Sequence, residues 1–205
     1  AIDGARDNPV GTGRLTVTGV TVEAVSQAPP LGIDVRADWR DRRLVLGGRL
    51  TGTPERDAEL TASLPLAIDA QRHSLVMAPT EPVAGRVSWY GEVASIWPLV
   101  PLDGHHLSGA TELDLELAGS LATPAMTGAF RLSQGKYENL ASGTVLKDLA
   151  VRVDLADRRA VLSALSASDG ARGSVRATGE MALDPARRYP FAITAEAAQL
   201  VAIRR

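Results

Sequence analysis

Glu112-Leu113-Asp114-Leu115-Glu116-Leu117-Ala118-Gly119 is the stretch that decides how this chain folds. Leucine takes every second position, with a carboxylate between each pair. Successive side chains of a strand point to opposite faces, so this octet has one aliphatic face and one charged face; wound as a helix it would mix them. The same beat runs outward in both directions. Downstream, Leu149, Val151, Val153 and Leu155 alternate with Ala150, Arg152 and Asp154. Val175, Ala177, Gly179, Met181 and Leu183 alternate with Arg176, Thr178, Glu180 and Ala182, and Phe191, Ile193 and Ala195 repeat the pattern. Upstream, Leu60, Ala62, Leu64, Leu66 and Ile68 form one such series, and Ile33, Val35, Ala37 and Trp39 another. Strict alternation of this kind is the mark of antiparallel strands with one apolar and one wet face. The chain reads as all-β.

Turn signals fall between these runs. Asp-Gly occurs at 3–4, 103–104 and 169–170, and Gly47-Gly48 is expected to break a run. Pro54, Pro79, Pro82, Pro124 and Pro185 sit at run ends, where a missing N–H removes no ladder bond. These cues delimit about a dozen strands. Apolar-x-Gly closes several runs, at Gly19, Gly52, Gly119, Gly128 and Gly179, a weak echo of stacked strand–Gly–strand units with no fixed period. One segment leaves the two-residue period. Val93, Ile96, Trp97 and Val100 follow i, i+3, i+4, i+7, which predicts a short amphipathic helix distorted at Pro98. Its stripe would cap the core or plug the end of a groove. Residues 1–13, polar and glycine-rich, are expected to be loosely held. No composition shift marks a second domain, so residues 1–205 read as a single β-rich segment. A chain that opens Ala1-Ile2-Asp3-Gly4 reads as a piece of something longer.

Composition narrows the function classes. The 205 residues are 45% hydrophobic and 22% charged with net charge −2, which fits a folded chain and argues against nucleic acid as the main partner. Cys 0 removes disulfides, thiolate catalysis and cysteine metal sites. No run approaches the ~18 apolar residues of a membrane-spanning helix. Adjacent His105 and His106, after Asp103-Gly104, would point to opposite faces of a strand and lack a third ligand nearby, so the pair reads as a surface turn rather than a zinc site. Glu112, Asp114 and Glu116 share a face, expected to be solvated and opposed by arginines across the ladder. Gly-x-Ser-x-Gly and His-Glu-x-x-His are absent, and Gly11-Thr12-Gly13 lacks the strand and helix that a phosphate loop needs. The chain reads as a non-enzyme without metal or cofactor. Aromatics at 4% also leave few platforms for sugar binding.

What remains is the aliphatic face itself. In most all-β proteins such a face is the sealed core of a sandwich. Alternatively, a curved sheet leaves it partly open to hold an aliphatic ligand. Each buried CH₂ is worth ~0.8 kcal/mol, so a sixteen-carbon chain gains on the order of 12 kcal/mol by leaving water. A trough of a dozen strands at ~4.8 Å spacing would run ~55–60 Å.

From about Gly85 onward the chain also resembles the TamB (translocation and assembly module) family of AsmA-like envelope proteins. The residues that carry the likeness begin with Ile96-Trp97-Pro98-Leu99, then Leu107-Ser108-Gly109 leading into Leu113–Gly119, Pro124 and Gly128. Phe130-Arg131-Leu132, Gly135-Lys136-Tyr137, Gly143, Leu146-Lys147-Asp148-Leu149, Ala167-Ser168-Asp169-Gly170 and Gly173 continue it in order. The resemblance implies a folded-over sheet, a U-shaped trough lined with aliphatic side chains. It implies a periplasmic protein anchored in the inner membrane, an outer-membrane partner of the TamA type, and roles in outer-membrane protein assembly and phospholipid transport. On this reading the groove is lined by Leu113, Leu115, Leu117, Leu132, Leu149, Val151, Val153, Val175, Met181, Leu183 and Ile193, with Val93, Ile96, Trp97 and Val100 at its end. The occupants would be phospholipid acyl chains. A holdase for unfolded outer-membrane strands, or a plain β-sandwich spacer, are the other readings of the same pattern.

Overall fold

The computed structural model describes residues 2–5, 8–20, 31–52, 57–69, 74–97, 102–156 and 158–200. They form fourteen strands: β1 (Ile2–Ala5), β2 (Asn8–Val20), β3 (Leu31–Arg40), β4 (Arg43–Thr51), β5 (Ala58–Pro65), β6 (Ala67–Asp69), β7 (Ser74–Val76), β8 (Ala84–Glu92), β9 (His105–Gly119), β10 (Pro124–Asn139), β11 (Thr144–Ala156), β12 (Arg159–Ser168), β13 (Ser174–Ala182) and β14 (Phe191–Ala198). Twelve of them make one antiparallel sheet in the order β1-β2-β3-β4-β5-β8-β9-β10-β11-β12-β13-β14, while β6 and β7 pair separately. The sheet is a meander of the antiparallel strands expected from the alternating runs, it is not closed, and it fits the elongated, folded form that the resemblance implies. Its accessible surface is 13182 Å², against roughly 9,200 Å² for a compact monomer of this mass.

The ladder keeps its two faces apart from end to end. Paired residues of neighbouring strands project to the same side. Leu113 pairs with Trp89 and Phe130, and Leu115 with Val87 and Gly128. In the same way Ile33 pairs with Val17 and Leu50. At the far end Met181 pairs with Ala160 and Phe191. One aliphatic face therefore runs across the sheet. The other face carries Arg14, Asp34, Arg49, Glu59, Arg86, Asp114, Arg131 and Arg152.

Bulges bend the strands along one line. The β9–β10 register shifts between Ser133 and Lys136, and the β11–β12 register between Lys147 and Ala150. Gln134 and Asp148 take left-handed backbone there, with φ of 53° and 52°. An extra residue on one strand raises the local twist and turns the strand direction. Two glycines allow the close approach this needs: a Cβ on Gly109 would meet Gly135 Cα at 2.7 Å, and one on Gly135 would meet the Leu149 carbonyl at 2.8 Å. Beside this line sits the buried cluster of Trp89, Val93, Leu132, Leu149 and Ala167, with Ala58 of β5 and Val175 of β13 packed at its margins.

Several local expectations are corrected. The helix through Val93, Ile96, Trp97 and Val100 is a single 3-10 turn, Val93–Ser95. An apolar i, i+3, i+4 spacing does not suffice for an α-helix when only a few residues separate the end of β8 from Pro98. Pro98 and Val100 lie outside the described residues, as do Pro54 and His73. Gly47-Gly48 does not break a strand but lies inside β4, and Asp3-Gly4 lies inside β1. The series from Leu60 to Ile68 is not one strand. It leaves the large sheet after Pro65, where the Leu66 N–H turns to the Arg42 carbonyl at 2.9 Å. Residues 2–5 and 8–13, expected to be loose, carry the strands β1 and the start of β2. Gly104 and Gly170, by contrast, sit in turns with φ of 75° and 78°, where Asp-Gly placed them.

Candidate functional site

The aliphatic face has a sealed part and an open part. Leu132 and Leu149 are 3% and 8% exposed and belong to the buried cluster; Leu183, also buried, follows β13 and donates its N–H to the Arg158 carbonyl at 2.8 Å. These three are packing residues rather than open lining. Leu113, Val151 and Val175 are half-buried at the margin of the cluster. Leu115, Leu117, Val153 and Met181 are half-buried away from it. Ile193, on β14, is 61% exposed. The structure thus brings eight of the eleven lining residues onto one partly open aliphatic surface.

The sealed part lies where the 3-10 turn crosses. Val93 is buried among Trp89, Leu132, Leu149 and Ala167, and Ile96 and Trp97 pack against them. The Gly109 N–H donates to the Glu92 carboxylate, and Trp97 Nε1 donates to the His105 carbonyl at 2.8 Å. These bonds tie the turn to β9, so it covers one end of the face.

Polar groups on this face are few and turned inward. Thr111 is 1% exposed and its hydroxyl donates to the Gly109 carbonyl at 3.3 Å. Trp89 Nε1 is buried without a hydrogen-bond partner among the described residues. The open part therefore offers methyl and methylene groups, with no charged side chain among the described residues to grip a headgroup. A surface of this kind holds hydrocarbon by exclusion of water alone.

The opposite face is a lattice of ion pairs. Arg131 pairs with Glu112 at 3.0 Å, Arg86 with Asp114 at 3.1 Å and Arg49 with Glu59 at 2.9 Å. Arg14 pairs with Asp34, and its hydrogen bond holds that carboxyl below the usual range. Asp154 is lowered in the same sense by hydrogen bonds from Arg152 and Ser163. The arginines expected opposite Glu112 and Asp114 are in place. His105 Nδ1 lies 2.7 Å from the Tyr137 hydroxyl while His106 is exposed, and no group of three metal-ligating side chains exists among the described residues.

The face extends beyond the residues singled out from sequence. Leu15, Val17, Ile33, Val35, Leu44, Leu46 and Leu60 continue it over β2 to β5. Their alternation was legible for β3 and β5, whereas Gly47-Gly48 hid it in β4. No protein-family model, curated protein or solved structure matches this chain, so the TamB likeness stands on the residues quoted for it.

Proposed function

We propose that this chain is a segment of a TamB-like periplasmic protein whose aliphatic face carries phospholipid acyl chains toward the outer membrane, headgroups remaining in water. The observation that supports the reading most is the partly open aliphatic face that runs from β2 to β14. Large exposed apolar area is an aggregation hazard that a monomer does not keep without use. Chains would slide along methyl groups with no polar contact to hold them, and a non-enzymatic role follows from that. An outer-membrane partner of the TamA type would be met through the full-length protein, which the family resemblance places in the inner membrane.

Mass spectrometry of gently purified protein tests the reading: co-purified phospholipid is expected. Leu115→Asp and Val151→Asp are expected to block lipid loading while the fold persists, because both side chains are only half-buried. Loss of fold in both would favour a sealed core. The exposed edge strand β14 supports a second reading, a holdase that captures unfolded outer-membrane strands by sheet extension. Crosslinks from the lining to lipid but not to nascent strands would count against it.

A further inference from the structure

We propose that the rim of the sheet formed by the β3–β4, β11–β12 and β13–β14 turns docks the chain on the surface of an anionic lipid bilayer. This deepens the reading of the aliphatic face as a lipid path and rests on it.

The meander puts these three turns at the same end of the strands. Their sequences repeat one theme: Arg40-Asp41-Arg42-Arg43, Asp157-Arg158-Arg159 and Asp184-Pro185-Ala186-Arg187-Arg188. Arginines outnumber carboxylates in each, although the whole chain has net charge −2. Arg40, Arg43 and Arg159 are engaged with Asp38, with Ser63 and Pro82, and with Glu180. Arg42, Arg158, Arg187 and Arg188 are exposed, and their guanidinium groups have no partner among the described residues. Among the described residues, the turns at the opposite end of the strands carry Asp57, Asp103 and Asp169 against Arg172.

Backbone conformation gives a second, independent argument. Arg42, Arg158 and Arg188 have φ of 58°, 62° and 57°. Side chains other than glycine and asparagine are disfavoured there. Asp41 and Tyr189 beside these arginines share the conformation, with φ of 51° and 53°, whereas the opposite rim meets the same demand with glycine at Gly52, Gly104, Gly143 and Gly170, Gln199 after β14 excepted. On the arginine rim, among the described residues, the β9–β10 turn does so with Gly119. Among the described residues this rim thus keeps side chains where glycine would be less strained, and three of the five are guanidinium groups.

The chemistry beside these arginines selects the occupant. Tyr189 and Phe191 are 47% and 72% exposed, next to Arg187 and Arg188. Phe191 pairs with Met181 on the aliphatic face, so the face reaches the rim there. Cations flanked by exposed aromatics are the composition of a membrane-interface anchor, where phosphates meet the charge and rings enter the headgroup layer. A bilayer docked here would deliver chains directly to the aliphatic face.

Flotation with vesicles tests this. The protein is expected to float with phosphatidylcholine vesicles that contain phosphatidylglycerol, not with phosphatidylcholine alone, and to be released by salt. Each arginine near such a surface is worth roughly fivefold in partitioning, so the double variant Arg158→Gly/Arg188→Gly should bind ~25-fold more weakly. Glycine suits both backbones, so its melting temperature should not fall, which separates lost binding from lost folding. Equal flotation with both vesicle types, or unchanged flotation of the double variant, would overturn the proposal. So would binding to heparin without binding to the anionic vesicles. Leu115→Asp should still float while failing to load lipid, and the double variant should still load lipid from detergent micelles. Those two results keep failure of the rim distinct from failure of the lipid path.

Discussion

Gly128 has φ of +132°, and a Cβ there would run into the carbonyl oxygen of Asp114 on the neighbouring strand. No side chain tolerates both the conformation and the contact. Gly128→Ala is expected to cost at least about 2 kcal/mol, read as a fall in melting temperature of roughly 4–8 °C. Leu132, sealed in the cluster, contrasts with Leu115 on the same face of the neighbouring strand, four residues beyond Leu132's partner Thr111. Leu132→Ala should cost about 2–5 kcal/mol in denaturant unfolding, because the cavity has little freedom to collapse. At Leu115 an aspartate reaches water, so lipid loading rather than folding should respond. Asp34 and Asp154 give the pH dependence: their carboxyls are held low by hydrogen bonds from Arg14 and from Arg152 with Ser163. A depressed folded-state value contributes stability above the ordinary carboxylate range and loses it as pH falls through the folded value. Melting temperature should therefore stay level from neutral pH to about 5 and decline below about 4. Both pairs face solvent, so added salt should shrink that decline.

At the scale of elements, the 3-10 turn Val93–Ser95 shows how few bonds fix the covered end of the face. Glu92 supplies one through its carboxylate to the Gly109 N–H. Glu92→Ala leaves that partly buried amide unpaired, which should cost about 1–3 kcal/mol and speed hydrogen exchange at Gly109. Unchanged exchange there would show that the turn is held by Val93 and Trp97 alone. The turn also marks a limit of sequence reading. Apolar spacing reported correctly that Val93, Ile96 and Trp97 share one side, but not that the backbone makes a single tight turn. The bulges of β10 and β11 were equally invisible beforehand. Gln134 and Asp148 carry no turn signature in sequence, and their left-handed backbone follows from the bend that neighbouring strands impose.

For the whole molecule, the decisive quantity is the surface left uncovered. An open sheet of this length should scatter X-rays with a radius of gyration above the ~17 Å of a compact globule of equal length. It should also bind an environment-sensitive apolar dye while fully folded. A value at ~17 Å with no dye bound would mean that a second layer seals the face in solution. The two rims differ in charge as well as in backbone chemistry, so the molecule has a polarity along its strands that its near-neutral total conceals.

Alternation of Leu and Val with charged residues determined, by itself, that the chain is antiparallel sheet and which side chains share a face. Neighbour chemistry fixes both, since the pleat reverses side-chain direction at every residue. Whether that face would be sealed was not local information. It depended on the register of strands far apart in sequence, on the bulges that bend β9 to β12, and on the lack of a second layer among the described residues. Leu113, Leu132 and Ile193 look alike in a one-dimensional pattern. Only the tertiary structure made the first marginal, the second buried and the third exposed, because burial is set by what stands opposite a side chain and not by what precedes it.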